Sequence, residues 1–188
     1  MVCQDIFGPH HNRTYARGVH IVLVHPEIAP NTGAIIRLCA NTGSDLHLIE
    51  PLGFSLDDRR LKRGGLDYHE YASIKVHPSL EDLIKALPGR SFGFSSKAER
   101  TYTDVSFASE DLLIFGAERN GLSNSSKELI PHDRVLLIPM REGNRSLNLA
   151  NAVSIVVYEA WRQTGFPGAS RSRHGLTAET IGAEPFDT

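Results

Sequence analysis

Three stretches of this 188-residue chain combine glycines with polar side chains at spacings that can hold a ligand. The first runs from Pro30 to Gly43, PNTGAIIRLCANTG. Asn31 or Thr32 can cap a helix there, Gly33 allows close backbone approach, Ile35, Ile36, Leu38 and Cys39 make an apolar face, and Gly43 is a C-cap. Arg37 then lies about one turn inside the helix, within reach of its entrance. The second is FGAERNGL, Phe115 to Leu122, after the strand-like Leu112-Leu113-Ile114. Gly116 and Gly121 have the separation of a phosphate loop. Leu122 stands where such a loop needs lysine, which argues against nucleoside-triphosphate binding. The third, Ile138 to Glu159, ends a strand, crosses a glycine-containing polar loop and enters a helix at Ser146-Leu147-Asn148. A strand end feeding a helix amino end gathers free backbone N–H groups and a positive dipole end at one place, where a polar or anionic ligand can be held.

These segments need a scaffold, and the intervening pattern supplies one. Strands are expected near 19–24, 45–49, 73–76, 91–95, 111–115 and 134–138, with helices near 32–42, 79–87, 125–130 and 146–163. HIVLV and DLLIF are continuous apolar runs, the pattern of parallel strands covered on both faces, and their alternation with helices predicts an α/β fold. Ser125-Ser126-Lys127-Glu128 reads as a capping box, with Pro131 ending its helix. The last helix carries Leu149, Val153, Val156, Val157 and Ala160 on one face and Ile155 and Trp161 on others. One sheet cannot cover that circumference, so a second copy of the chain is expected to pack on it, with Val156 and Tyr158 at the interface and Ile36 and Ala40 of the first helix as their partners. No internal repeat is present. Residues 1–18 and 169–188 are expected to be mobile extensions of one domain over 19–168.

Composition narrows the class further. Twenty Lys+Arg against 22 Asp+Glu give a net charge of −2, so any attraction to nucleic acid must be local. Cys3 and Cys39 have neither disulfide-framework nor zinc spacing, which fits a reduced cytoplasmic protein. No run approaches the ~18 apolar residues that span a bilayer, and the amino terminus has no signal-peptide core. His69-Glu70 has Ser73 where a zinc helix needs its second histidine, so no metal is expected.

Taken in order, Asn31-Thr32-Gly33 with Arg37, Phe115 to Glu118 with Gly121, and Ile138-Pro139-Met140 with Ser146-Leu147-Asn148 resemble the three motifs of the SPOUT RNA methyltransferases. The likeness extends over Val19 to Gly168 and is greatest to the small, single-domain tRNA 2′-O-methyltransferases that modify the wobble cytidine or uridine at position 34. It implies a mostly parallel sheet flanked by helices and a carboxy-terminal deep trefoil knot. It also implies S-adenosylmethionine as methyl donor, tRNA as substrate and a homodimer paired through first and last helices.

Carried onto this chain, the resemblance assigns cofactor contacts to Phe94, Gly116, Glu118, Ile138, Ser146 and Leu147. From the residues alone, Phe94 and Ile138 also suit ordinary core positions, and Ser146 an N-cap. Arg37 becomes the catalytic residue, gripping a phosphate and stabilising a developing alkoxide, because a guanidinium is a poor general base. A Cβ at Gly116 is expected to push the loop off the ligand. The run Arg59-Arg60-Leu61-Lys62-Arg63 beside two glycines suits phosphate gripping, although Asp57-Asp58 precede it. Asn31, Arg141 and Asn148 join Arg59, Arg60, Lys62 and Arg63 as expected RNA contacts, with Tyr68 and His69 as weaker ones. Two departures fall in the second motif: Ala117 replaces a residue that is often proline, and Arg119-Asn120 differs from the pattern in which arginine immediately precedes the last glycine.

Three functions therefore compete: wobble-position 2′-O-methylation of tRNA, the same chemistry at another tRNA position or on ribosomal RNA, and RNA binding without catalysis. Relatives of the second kind commonly carry an added amino-terminal RNA-binding domain, which the ~18 residues before Val19 are too few to form. A dinucleotide enzyme is disfavoured because no G-x-G-x-x-G follows the first strand.

Overall fold

The computed structural model describes residues 18–56 and 74–169. Strands β1 (His20–Val24), β2 (Asp45–Ile49), β3 (Ile74–His77), β4 (Ser91–Phe94), β5 (Arg100–Thr101), β6 (Leu112–Phe115) and β7 (Val135–Leu137) form one sheet. Its order is β3-β2-β1-β6-β4-β7-β5, and every neighbouring pair is parallel. Helices α1 (Ala29–Thr42), α2 (Leu80–Ala86), α3 (Asn124–Glu128) and α4 (Leu149–Gln163) flank it.

Strand alternation sends Ile21, Leu23, Leu46 and Leu48 to one face, where they pack with Ile35, Ile36 and Cys39 of α1 and with Val153, Val156 and Val157 of α4. Val22, Val24, Ile49 and Ile114 face the other way, against Leu80 and Leu83 of α2 and Ile130. The central strands β1 and β6 are buried along their whole length, as continuous apolar runs require. Among the described residues no helix is long and apolar enough to cross a membrane. The extensions expected to be mobile, 1–18 and 169–188, lie outside the described residues except for Gly18 and Ala169, and Arg59, Arg60, Lys62, Arg63, Tyr68 and His69 lie outside them too.

The six expected strands all form, each within one residue of the ranges read from sequence; β5, two residues long, is too short for periodicity to reveal. Helix starts differ more. Helix α1 begins at Ala29, not near 32, and its N-cap position is Ile28 without a side-chain cap; neither Asn31 nor Thr32 caps it. Gly43 does end it, in the left-handed conformation at φ 71. Helix α3 is capped by Ser123, whose hydroxyl accepts from the Ser126 amide at 3.0 Å, two residues before the expected box. Helix α4 starts at Leu149, three residues later than expected, because Asn148 rather than Ser146 is its cap.

Candidate active site

The loops after β4, β6 and β7 converge at the carboxyl end of the sheet, where parallel α/β folds place their ligands. They enclose an open cavity of about 580 Å³, within the range of small-molecule and cofactor sites. All six residues expected to touch a cofactor, Phe94, Gly116, Glu118, Ile138, Ser146 and Leu147, line it. Phe94 is buried and stacks on Phe115 at 4.5 Å with an interplanar angle of 11°, so the cavity floor is an aromatic pair fixed in the core. Ser95, Ser96 and Ser146 bring hydroxyl groups, while Leu122, Leu149 and Ala152 extend the apolar wall. A flat, polar-edged base and a polar tail fit such a lining, so the residues present suit S-adenosylmethionine.

The 115–121 loop is held tightly. Gly121, at φ 64, donates its N–H to the Ala117 carbonyl at 2.8 Å. A Cβ on Gly116 would stand 2.0 Å from the Gly121 carbonyl carbon and 2.1 Å from the Leu122 nitrogen. Gly116 therefore borders the cavity, but its own loop's backbone, rather than a ligand, is what forbids a side chain there.

Glu118 turns from the same loop toward α1. Its carboxylate accepts from the Glu27 amide at 2.7 Å, the Ile28 amide at 3.1 Å and Asn31 Nδ2 at 3.0 Å. The carboxylate thus takes the place of a local side-chain cap at the helix entrance. Glu27 reciprocates, accepting from the Arg119 amide at 3.2 Å. Asn31 Oδ1 in turn accepts from Asn148 Nδ2 at 2.9 Å, while Asn148 Oδ1 accepts from the Ala150 and Asn151 amides. Glu118, Asn31 and Asn148, one from each chemical segment, form a single hydrogen-bonded chain that ties the loops after β1, β6 and β7 together.

That chain occupies the side chains of two residues expected to contact RNA. Asn31 is buried, and both ends of its amide are bonded within the protein. Asn148 is exposed, yet its side chain is committed to Asn31 and to capping α4. Arg141 does stand exposed on the 138–148 loop. Arg37 lies on the exposed side of α1 and is not among the residues lining the cavity of its own chain. The rim also carries Lys97, Arg119 and Lys127. Neither Lys97 nor Lys127 was assigned to the site from sequence, since a lone lysine in Ser-Ser-Lys carries no local signal; only the convergence of loops puts them at one mouth. Cys39 is buried and free, its thiol pushed far above the ordinary range mainly by burial, so it is no nucleophile.

The expected interface at Val156 is overturned. Val156 and Ile36 are both 0% exposed, enclosed by the packing of α4 and α1 within one chain. Tyr158, in contrast, is 47% exposed, next to Ile155 at 37% on the same outward stripe of α4. Tyr158 meets Trp161 edge-on at 5.6 Å, and Trp161 meets Phe166 at 5.2 Å, so an aromatic cluster continues the stripe.

Comparison with known proteins places these features in context. The model of the SpoU rRNA Methylase family matches residues 18–158. A tRNA (cytidine(34)-2'-O)-methyltransferase of Burkholderia cenocepacia is 51% identical over 154 residues, covering 80% of this chain and 99% of that protein. The enzyme of the same description from Escherichia coli K12 is 51% identical over 152 residues, covering 80% and 97%. A solved structure described as giving insights into the 2-OH methylation of C/U34 on tRNA superposes with a TM-score of 0.74 at 41% identity, covering 80% of this chain and 98% of that one. The SpoU methyltransferase AviRb of Streptomyces viridochromogenes, solved in complex with the cofactor AdoMet, gives a TM-score of 0.69 at 25% identity, covering 81% and 60%.

Proposed function

The chain belongs to the SpoU rRNA methylase family, and from that premise we propose that it transfers a methyl group from S-adenosylmethionine to the ribose 2′-hydroxyl of the wobble nucleotide, cytidine or uridine 34, of tRNA. The observation that carries this reading is the cavity at the carboxyl ends of β4, β6 and β7, into which all six residues assigned to the cofactor converge. Half-identical relatives of that description, matched along nearly their whole length, support the wobble nucleotide over another RNA position.

When bound, S-adenosylmethionine supplies an electrophilic methyl on a sulfonium. The chain's own residues do the rest. Phe94, Ile138 and Leu147 hold the cofactor's flat faces, and Ser146 offers a hydroxyl to its polar edge. The Glu118–Asn31–Asn148 chain keeps the three loops in register, so that the acceptor hydroxyl meets a preformed site. Arg37 is assigned the electrostatic role, holding a target phosphate and stabilising the alkoxide as its proton leaves. Arg59, Arg60, Lys62, Arg63 and Arg141, with Lys97 at the cavity mouth, are assigned to the RNA backbone. In this reading the chain after β7 threads through a loop to form a trefoil knot. Its return is consistent with that: β7 pairs with β4 and β5, yet α4 packs back on α1. A cytoplasmic location follows from a tRNA substrate.

The active unit in this reading is a homodimer. Ala34, Arg37 and Ala40 are exposed on α1, and Asn151, Ile155 and Tyr158 on the α4 that packs beside it. Pairing two copies through this face covers the aromatic stripe and brings each Arg37 to a second chain. Tyr158→Asp is expected to yield folded monomers with little activity, whereas Val156→Asp places a charge in the core and is expected to unfold the chain. Ultracentrifugation with thermal melts separates the two outcomes, and a fully active wild-type monomer would refute the dimer.

The function is tested by mass-spectrometric mapping of ribose methylation in tRNA from cells lacking this protein. Loss of the 2′-O-methyl at position 34, restored by the wild-type chain, is the expected result. Loss elsewhere in tRNA or in ribosomal RNA would favour the second enzymatic reading, and unchanged methylation the non-catalytic one.

A further inference from the structure

We propose that His20, Asp45 and His47 form a site for one divalent transition cation of the zinc class, at the amino ends of β1 and β2 and so at the opposite end of the sheet from the cavity. His20 opens β1 directly beside Asp45, which opens β2, and His47 follows two residues on along the same face. His20 Nδ1 lies 3.0 Å from His47 Nε2 and 3.7 Å from Asp45 Oδ2. Those two separations straddle the ~3.4 Å edge of a tetrahedron with ~2.05 Å bonds, and one donor atom from each of the three residues lies within 4.8 Å of the other two. Two imidazoles and one carboxylate, with a position left for water, are a donor set that suits zinc and its neighbours rather than magnesium or calcium.

The surroundings support the donors as an outer shell would. The other nitrogen of His47, Nδ1, lies 2.9 Å from His77 Nε2 on β3. The other nitrogen of His20, Nε2, is buried without a hydrogen-bond partner, and the Glu110 carboxylate stands 3.7 Å from it. Metal sites commonly fix a ligating histidine's tautomer and orientation through a hydrogen bond from its second nitrogen; the 2.9 Å contact to His77 supplies one for His47, and Glu110 is the nearby acceptor for His20. The Asp45 side chain is 35% exposed, which gives a cation a route in. None of this was visible as local spacing, since Asp45 and His47 meet His20 only through parallel strand register. The cation would pin the β1–β2–β3 side of the sheet.

The full-length protein, stripped with a chelator, is titrated with ZnCl₂, CoCl₂ and MgCl₂ while binding stoichiometry, the visible cobalt spectrum and the melting temperature are followed. One Zn²⁺ per chain, an intense cobalt band and a raised melting temperature are expected, with no response to Mg²⁺. His20→Gln should abolish the cobalt band. Asp45→Asn, a partly exposed and conservative change that secures the test if His20→Gln fails to fold, should weaken Zn²⁺ binding by ~10-fold or more, the scale of losing even an outer-shell partner. A folded wild-type chain that takes up no Zn²⁺, or Asp45→Asn binding it as tightly as wild type, overturns the site.

Discussion

Arg37→Ala is expected to reduce methyl transfer by ~10²-fold or more, about 2.7 kcal/mol of transition-state stabilisation, while leaving S-adenosylmethionine affinity unchanged. The two effects separate because of where Arg37 stands. Its neighbours Ile35, Ile36, Leu38 and Cys39 hold α1 in the core, whereas Arg37 points outward and does not border its own chain's cavity. Truncation therefore removes a cation without opening a void. Arg37→Lys keeps the charge but not the planar fork that grips a phosphate at two points, so its activity should fall between those of wild type and Arg37→Ala. Single-turnover transfer to tRNA, set beside calorimetric titration with the cofactor, measures both quantities. Near wild-type turnover in Arg37→Ala would make the residue a bystander. A loss of cofactor affinity as large as the loss of rate would move it into the cofactor pocket.

The sequence revealed what short-range pattern controls. Continuous apolar runs identify parallel strands because burial on both faces removes the alternation an exposed face would impose, and β1, β2 and β6 are buried as that logic requires. The residues assigned to the cofactor fall at strand carboxyl ends or, for Ser146 and Leu147, just before a helix, where fold and chemistry coincide, so their placement around one cavity was within reach. What escaped depends on partners far along the chain. The entrance of α1 is held by Glu118, some 90 residues away, so no local cap marks it. Asn31 and Asn148 bond to each other across 117 positions, and a polar side chain in a ligand-like motif gives no hint that another motif residue occupies it. Val156 was misplaced for a related reason. Periodicity shows that most of α4 must be covered, but not that α1 of the same chain covers the Val156 side and leaves the Tyr158 side open.

Gly116→Ala should lower cofactor affinity by at least ~10-fold and, unlike Arg37→Ala, should also destabilise the chain, by about 1–3 kcal/mol as overpacking does. The added Cβ would fall 2.0 Å from the Gly121 carbonyl carbon and 2.2 Å from its oxygen. Those are backbone atoms, which cannot rotate aside as the tip of a flexible side chain can. Relief therefore requires the 116–121 turn to open, stretching the 2.8 Å bond from the Gly121 N–H to the Ala117 carbonyl and drawing Glu118 from the amides at the entrance of α1. Through Asn31 the disturbance reaches Asn148, the cap of α4, so a single methyl should loosen the cavity loops after β6 and β7 together with the entrance of α1. Melting the protein without cofactor distinguishes this from the simpler idea that the glycine only makes room for a ligand. A methyl that merely met the ligand would leave the ligand-free melting temperature at its wild-type value and weaken binding alone. A drop of several degrees in the ligand-free protein, together with lost affinity, is the result that places the glycine's role in the loop itself.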